Sequence, residues 1–304
     1  MMSDNLRAAL FMMVGSCAFA VNDTFLKLLG TGLGMFQIIT LRGVAVSLIF
    51  AALLWVQRAT ISALRPRDRW FLALRSGAEM GAAFFFFKAL FNMPLAAVTA
   101  IIQVVPLTVA LAAYLFLKEP LGWRRLSAIL MGLGGVMLIV RPGTETFTPA
   151  SVYALLCVGM VTLRDLTTRV MAKGVPSSMV ALTTAIGVTL MGATGSLSET
   201  WHMPDVKSMA WLGGTVVFTV LGYYLVILAM RTGELTFVAP FRYAALPAAL
   251  VLGWVVLAEW PAPLTFVGSA IVVATGVYTL YREGRAKRRA LAAKAGLPRA
   301  PGEC

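Results

Sequence analysis

The sequence is poor in the residues on which soluble domains and many enzymes depend. Of its 304 residues only 13% are charged, one is histidine and three are cysteines without paired spacing. Soluble domains carry about 25% charged residues. A metalloprotease motif needs two histidines and a rhomboid-type protease needs a Ser–His pair within the bilayer, whereas His202 is alone in a polar segment. These shortages disfavour a soluble domain, a metal centre, a disulfide framework and both protease classes.

Long apolar runs make up most of the chain, which is 59% hydrophobic. Ten runs are separated by charged or Gly/Pro breaks, and each approaches the length that a helix needs to cross a bilayer. They cover residues 7–29, 34–56, 70–92, 95–117, 124–141, 150–172, 177–197, 209–230, 236–257 and 264–282. Because the runs are too long and too continuously apolar for barrel strands, they predict an all-α membrane protein with ten transmembrane helices.

The 26 Lys and Arg residues are distributed unevenly between the segments that link these runs. With the N-terminus inside, 18 of them fall on the cytoplasmic side and only Arg141 and Lys207 fall outside. This bias predicts that both termini are cytoplasmic and that residues 283–304 form a basic cytoplasmic tail next to anionic lipid. The net charge of +13 therefore indicates contact with membrane lipid, and no nucleic-acid partner is expected.

The chain contains an internal duplication. Matched residues are separated by 142 positions near the start of each half (Asp23/Asp165, Lys27/Arg169, Gly32/Gly174) and by 140 or 141 later (Glu119/Glu259, Pro120/Pro261, Gly135/Gly276). Each half, 7–141 and 150–282, holds five predicted spans, and an odd number inverts the second half relative to the first. Inverted repeats are typical of secondary transporters, which bind substrate near the bilayer midplane.

Several short motifs resemble the EamA family of the drug/metabolite transporter superfamily. They are Asn22-Asp23 with Lys27, Arg42, Pro94–Val98, Leu117–Glu119, Gly132–Val136 and Arg141–Gly143. The resemblance covers nearly the whole chain and implies two five-helix EamA repeats in a bacterial inner membrane. Asn22-Asp23 and the segment Ala239–Tyr243 look like the subgroup that includes riboflavin and S-adenosylmethionine uptake proteins.

Charged residues inside predicted spans are the candidate functional groups, because each costs a few kcal/mol unless it is paired or faces water. Arg242, bracketed by Pro240 and Pro247, is the leading candidate for binding, and Gln103 with Pro106 predicts a matching helix break in the first half. The predicted substrate-binding set is Asn22, Asp23, Arg42, Lys88, Gln103, Tyr223, Arg242 and Tyr243. The predicted coupling or gating set is Asp23, Lys27, Glu79, Asp165 and Arg169.

The alternative interpretation of these charges is structural. Asp23 with Lys27, Asp165 with Arg169, and Arg75 with Glu79 each stand in the i,i+4 order that favours a pair within one helix. Lys27 and Arg169 could equally extend to the interface, and Arg242 could tie two helices together.

The predicted function is secondary transport, by alternating access, of a small polar, zwitterionic or flat aromatic metabolite. The best guess is uptake of a riboflavin-like vitamin. Export of amino acids or other metabolites, S-adenosylmethionine uptake, and a channel or sensor scaffold remain alternatives. No Walker motif is present in the sequence, so no ATP drive, cofactor or metal is expected. The expected state is a monomer or homodimer.

Overall fold

The computed structural model describes residues 4–56, 66–144, 147–171 and 177–294, and all regular structure within these ranges is helical. The helices are α1 (Asp4–Leu29), α2 (Met35–Val56), α3 (Pro66–Asn92), α4 (Leu95–Ile102), α5 (Val105–Leu117), α6 (Trp123–Val140), α7 (Pro149–Val170), α8 (Ser177–Gly195), α9 (Val206–Thr232), α10 (Leu235–Val238), α11 (Ala245–Val255) and α12 (Pro263–Lys294). Two 3₁₀ segments, Ser196–Ser198 and Ala239–Ala244, follow α8 and α10. Residue 172 of the sixth predicted span and residues 295–304 of the predicted tail lie outside the described residues.

Eight segments are long and apolar enough to cross a membrane, and the joined helices α4 and α5 count as one of them. α3 has 27 residues but carries several charges, and Ala239–Val255 is a shorter apolar helix. The predicted all-helical membrane fold is therefore confirmed. α12 continues to Lys294, well past residue 282 where the last predicted span ends.

Both predicted helix breaks are present. The segment from residue 95 to residue 117 divides at Gln103 and Val104, just before Pro106. The corresponding segment of the second half tightens into the 3₁₀ turn Ala239–Ala244, which has Pro240 in its first turn. Proline removes a backbone donor and clashes with the carbonyl four residues earlier, so each α-helix stops near mid-length.

Helices of the first half pack mainly on helices of the second half. α1 packs on α9, α2 on α8, α3 on α7, and α6 on α12, while α4 meets α11. α6 and α12 approach each other closely at two glycines, because neither has a side chain. A Cβ atom added to Gly135 would lie 2.9 Å from the carbonyl oxygen of Gly268. The largest apolar core fills the space between α4, α5, α6, α7 and α12, and it includes Ile101, Leu107 and Ile129.

The helices α5 and α11 end in the same way. Lys118 and Ala258, 140 positions apart, both adopt left-handed backbone conformations with φ of 55° and 54°. In both cases the next residue donates its backbone N–H to a carbonyl six residues earlier, from Glu119 to Ala113 at 3.3 Å and from Glu259 to Gly253 at 2.8 Å. The same backbone bond, made by the residue after a left-handed position, therefore closes both helix ends. The duplication in the sequence is thus also a duplication of local backbone geometry.

Candidate functional site

A hydrogen-bonded chain of four polar side chains connects α1, α2 and α9. Asn22 donates from Nδ2 to Asp23 Oδ1 at 2.8 Å, and Thr219 donates its hydroxyl to Asn22 Oδ1 at 2.9 Å. Arg42 donates from an Nη atom to Thr219 Oγ1 at 2.8 Å and interacts electrostatically with Asp23. Asn22 and Thr219 are buried, so the chain lies in the interior of the helix bundle.

One hydrogen-bond donor of the Arg42 side chain is unsatisfied within the described part of the chain. Its Nε atom is buried and has no hydrogen-bond partner among the described residues. A buried donor without a partner costs about 1–3 kcal/mol, so it is rarely left so without a reason. The arrangement fits a guanidinium that is fixed from one side and still able to bind an acceptor on the other.

A second polar cluster connects α3, α7 and α8. Arg164 binds the neighbouring Asp165 at 2.8 Å from Nε and reaches Glu79 on α3 at 3.0 Å from an Nη atom. Arg75 donates to Thr168 Oγ1 at 2.9 Å and to Thr184 Oγ1 at 2.7 Å. The i,i+4 pairing predicted for Arg75 and Glu79 gives way to these contacts between helices, because Arg164 satisfies both oxygens of Glu79.

Tyr223 on α9 joins the two clusters. It lies within electrostatic reach of Glu79, Arg164, Arg42 and Arg75. Tyr223 is 46% exposed although these neighbours come from three helices around it, α2, α3 and α7, so the clusters border an accessible space inside the bundle. Phe19 contacts the ring edge-on, with centroids 5.3 Å apart.

The predicted pair of Asp23 and Lys27 on α1 is wrong. Lys27 instead forms an ion pair with Glu259 and donates to the Met93 carbonyl at 2.6 Å. Glu259 in turn accepts from the backbone N–H of Leu95 at the start of α4. Asp23 is held by Asn22 and Arg42, because their side chains reach it from the bundle interior whereas Lys27 extends past the end of α3.

The predicted pair of Asp165 and Arg169 on α7 is wrong in the same way. Arg169 binds Glu119, which follows α5, at 3.2 Å, and Asp165 is taken by Arg164. The predicted gating residues Lys27 and Arg169 therefore have acidic partners from the opposite half of the chain. The matched glutamates were visible in the repeat, but only the helix ends described above bring them to these cations.

The other predicted binding residues occupy two different places. Gln103 donates to the Arg242 carbonyl at 3.1 Å, so the two helix breaks meet, while the Arg242 side chain is exposed. Tyr243 is buried against Gly276, and its hydroxyl has no partner among the described residues. Lys88 lies 5.9 Å from the centroid of the Phe84 ring. The hydrogen-bonded chain around Asp23, with the adjacent Tyr223, thus contains four members of the predicted binding set: Asn22, Asp23, Arg42 and Tyr223. It also contains Thr219, which the sequence analysis missed because a threonine in an apolar run carries no signal.

Comparison with known proteins shows what the chain is similar to. The EamA-like transporter family matches residues 6–141. A riboflavin transporter of Brucella anthropi is 25% identical over 91% of this chain and all of its own length, and a riboflavin transporter of Vibrio cholerae is 25% identical over 93% of this chain and 96% of its own. An S-adenosylmethionine uptake transporter of Rickettsia felis is 24% identical over 89% of this chain and 91% of its own.

The fold is also found among solved structures. One crystal structure aligns with 91% of this chain and 97% of its own, with a TM-score of 0.60 at 18% identity. The resemblance to the EamA family indicated by the sequence motifs is confirmed, with the family match covering residues 6–141. Eight segments are long and apolar enough to cross a membrane, and the curated relatives reported above are named as transporters and not as enzymes.

Proposed function

We propose that this protein, whose residues 6–141 match the EamA-like transporter family, is a secondary transporter that takes up a flat, polar metabolite without net charge across the bacterial inner membrane. Riboflavin is the best candidate. Substrate would bind between the two halves, 7–141 and 150–282, and alternating access would carry it across.

The packing of the helices supports the two inverted repeats. If the chain has ten spans, the first span of each half packs on the third span of the other, and the second, fourth and fifth spans pack on their own counterparts. Contacts across a two-fold axis are self-complementary in this way. Ser47 and Thr189, which are one repeat shift of 142 positions apart, meet at 3.2 Å between their hydroxyl oxygens.

The ion pairs agree with the predicted topology. With the N-terminus inside, Lys27, Met93 and Glu259 all fall at outer ends of their spans, and Arg169 and Glu119 both fall at inner ends. Each contact therefore joins residues from one face of the membrane. An arrangement with one span more or one span fewer between them would place the partners on opposite faces.

The observation that carries the proposal is the charge balance around Tyr223. The two clusters contain three arginines, Arg42, Arg75 and Arg164, and three carboxylates, Asp23, Glu79 and Asp165. A balanced site favours a solute without net charge, since an ion would leave one group uncompensated in a low-dielectric environment. Riboflavin is uncharged, its ring can stack on Tyr223 and Phe19, and its ring carbonyls suit the free Nε of Arg42.

A second candidate substrate is S-adenosylmethionine, for which four relatives from Rickettsia are named. Asp23 and the Tyr223 ring provide the carboxylate and aromatic face that attract a sulfonium cation. Because S-adenosylmethionine carries a net positive charge, its transport would depend on Asp23 far more than transport of riboflavin would.

The test is uptake and counterflow in proteoliposomes, after a thermal-shift panel of vitamins, nucleosides and amino acids. We expect saturable riboflavin uptake with counterflow, and we expect Arg42→Gln to lower kcat/KM at least about tenfold by removing a charge-assisted bond to substrate. Arg124→Gln, at the start of α6 beside Trp123, is the matched control and should transport normally. Flux that does not saturate would indicate a channel, and normal uptake by Arg42→Gln would disprove the site.

A further inference from the structure

Two glutamates lie outside the proposed substrate site and yet make matched contacts between the halves. Glu259 of the second half pairs with Lys27 of the first, and Glu119 of the first half pairs with Arg169 of the second. The acids are 140 positions apart and the cations are 142 apart, so both partners are duplicated. Each cation therefore takes the acid of the other half, which ties the halves together at both ends of the bundle.

The backbone just before each glutamate adopts the same uncommon conformation. The residues before them, Lys118 and Ala258, are held in left-handed conformations that cost a non-glycine residue roughly 1–2 kcal/mol. Both turns are closed by the bonds that the backbone N–H groups of Glu119 and Glu259 donate to Ala113 and Gly253. A strained turn kept at both ends of a repeat indicates that the direction of these two side chains matters.

The two ends differ in how tightly they are closed. The side chains of Lys27 and Glu259 are 13% and 24% exposed, whereas those of Arg169 and Glu119 are 40% and 51% exposed. The Lys27 end has further bonds from Lys27 to the Met93 carbonyl and from the Leu95 N–H to Glu259. At the Arg169 end, Arg169 holds Glu119 by a bond of 3.2 Å that is open to water.

We infer that Glu259 and Glu119, with Lys27 and Arg169, form two gates that close in alternation. In the structure the Lys27–Glu259 gate is closed and the Arg169–Glu119 gate is loosened, so the site around Tyr223 faces the Arg169 side. Equivalent partners in inverted halves let one rearrangement open one end as it closes the other. The inference rests on the alternating access of the proposed function and not on the identity of the substrate.

Accessibility of the site from each side tests the gates directly. Tyr223→Cys, with Cys17, Cys157 and Cys304 replaced by serine, provides a single reporter thiol on the cavity wall. Its reaction rate with a small membrane-impermeant methanethiosulfonate is measured in right-side-out and inside-out vesicles. A protein that keeps only Cys304 establishes on which side the tail lies.

We expect faster labelling from the Arg169 side in the reporter protein. Glu259→Gln and Lys27→Gln should each raise the labelling rate from the Lys27 side at least about fivefold, because each breaks the ion pair of the closed gate. Glu119→Gln is the matched control, and it should change that rate less than about twofold since its gate is already loosened. Lys27→Gln keeps the bond from Leu95 to Glu259, so it separates gating from loss of the helix cap.

Two results would overturn the gates. One is an unchanged labelling rate from the Lys27 side in both Glu259→Gln and Lys27→Gln, when both proteins elute as folded protein in size-exclusion chromatography. The other is an increase in this labelling rate in Glu119→Gln that equals the increase in Glu259→Gln and Lys27→Gln. Neither readout needs a transported substrate, so failure of riboflavin counterflow would count against the proposed substrate and leave the gates standing.

Discussion

The two copies of the Asp–cation segment have the same spacing but hold their aspartates differently. Asn22 precedes Asp23 in the first copy, and Arg164 precedes Asp165 in the second. Asp165 is neutralised by its own neighbour, whereas Asp23 depends on Arg42 from another helix. The first copy thus forms part of a site between helices, while the second is a compact ion cluster that also holds Glu79.

The arginine–threonine links between the halves show the same divergence. Arg42 on α2 donates to Thr219 on α9, and Arg75 on α3 donates to Thr184 on α8. Thr184 is the repeat counterpart of Arg42, 142 positions later. The second half therefore keeps the acceptor where the first half has the donor, and each link still bridges the two halves. Arg75 lies two positions before Gly77, the repeat counterpart of Thr219, so the two links occupy neighbouring places in the repeat.

The largest effect is expected when the ion cluster of Arg164, Glu79 and Asp165 is broken. Arg164→Gln leaves Glu79 and Asp165 without their shared cation, so it should lower the free energy of unfolding by about 3 kcal/mol. Arg42→Gln should cost less, because Asp23 keeps its bond from Asn22. Thermal unfolding of the purified proteins, with Arg124→Gln as a control, measures the difference. A larger loss for Arg42→Gln would reverse the assignment of the structural and functional copies.

The next prediction compares the aspartates themselves. Asp23→Asn should lower kcat/KM for uptake about tenfold, since it leaves Arg42 without its opposing charge beside the substrate. Asp165→Asn should lower it less than about threefold, because Glu79 still neutralises Arg164. Initial rates over a range of substrate concentrations give both values. Equal losses would mean that both copies take part in binding.

Removal of one hydroxyl from each arginine–threonine link should have a smaller effect. Thr219→Val should cost about 1.5 kcal/mol of stability, because it breaks the described side-chain bond of Arg42 and also the bond to Asn22. Thr184→Val should cost about 0.5 kcal/mol, because Arg75 retains Thr168. The two valine variants are near-isosteric with threonine, so each serves as the packing control for the other. Equal costs would show that the links are interchangeable.

The smallest effect concerns the contact on the proposed two-fold axis. Thr189 donates its hydroxyl to the Ala185 carbonyl, so Ser47 is the donor in the bond between them. A double-mutant cycle with Ser47→Ala and Thr189→Ala should give a coupling energy of about 0.5–1 kcal/mol. Thr183→Ala, whose hydroxyl donates to carbonyls of its own helix, is the control and should show no coupling to Ser47→Ala. Additive losses in the Ser47–Thr189 cycle would remove this support for the axis.

Much of the fold could be predicted because it depends on local chemistry. The apolar runs identified membrane helices, and Pro106 and Pro240 marked the breaks, since a missing N–H acts wherever the chain goes. Part of the site was also predictable. Asn22, Asp23, Arg42 and Tyr223 were chosen because polar groups are costly in an apolar run, and the structure gathers them around one space.

The pairing of charges could not be predicted from spacing. The i,i+4 order suggested Lys27 with Asp23 and Arg169 with Asp165, yet both cations bind glutamates more than 45 residues away in sequence. Proximity within a helix contributes only about 0.2–0.5 kcal/mol, so a partner brought close by tertiary packing displaces it easily. Gln103 bonds the Arg242 carbonyl for a similar reason, because two breaks meet where two helices cross.

The sequence by itself determined that this is an all-helical membrane protein with a duplicated set of charges and two broken helices. Hydropathy, proline chemistry and repeat spacing are properties of consecutive residues, and they hold in any arrangement of the helices. Only the tertiary structure decided that each cation meets the acid of the other half, and that one of these pairs is half-buried while the other is more open to water. Long side chains reach whichever neighbour the packing supplies, and in a low-dielectric interior that neighbour sets their charge balance.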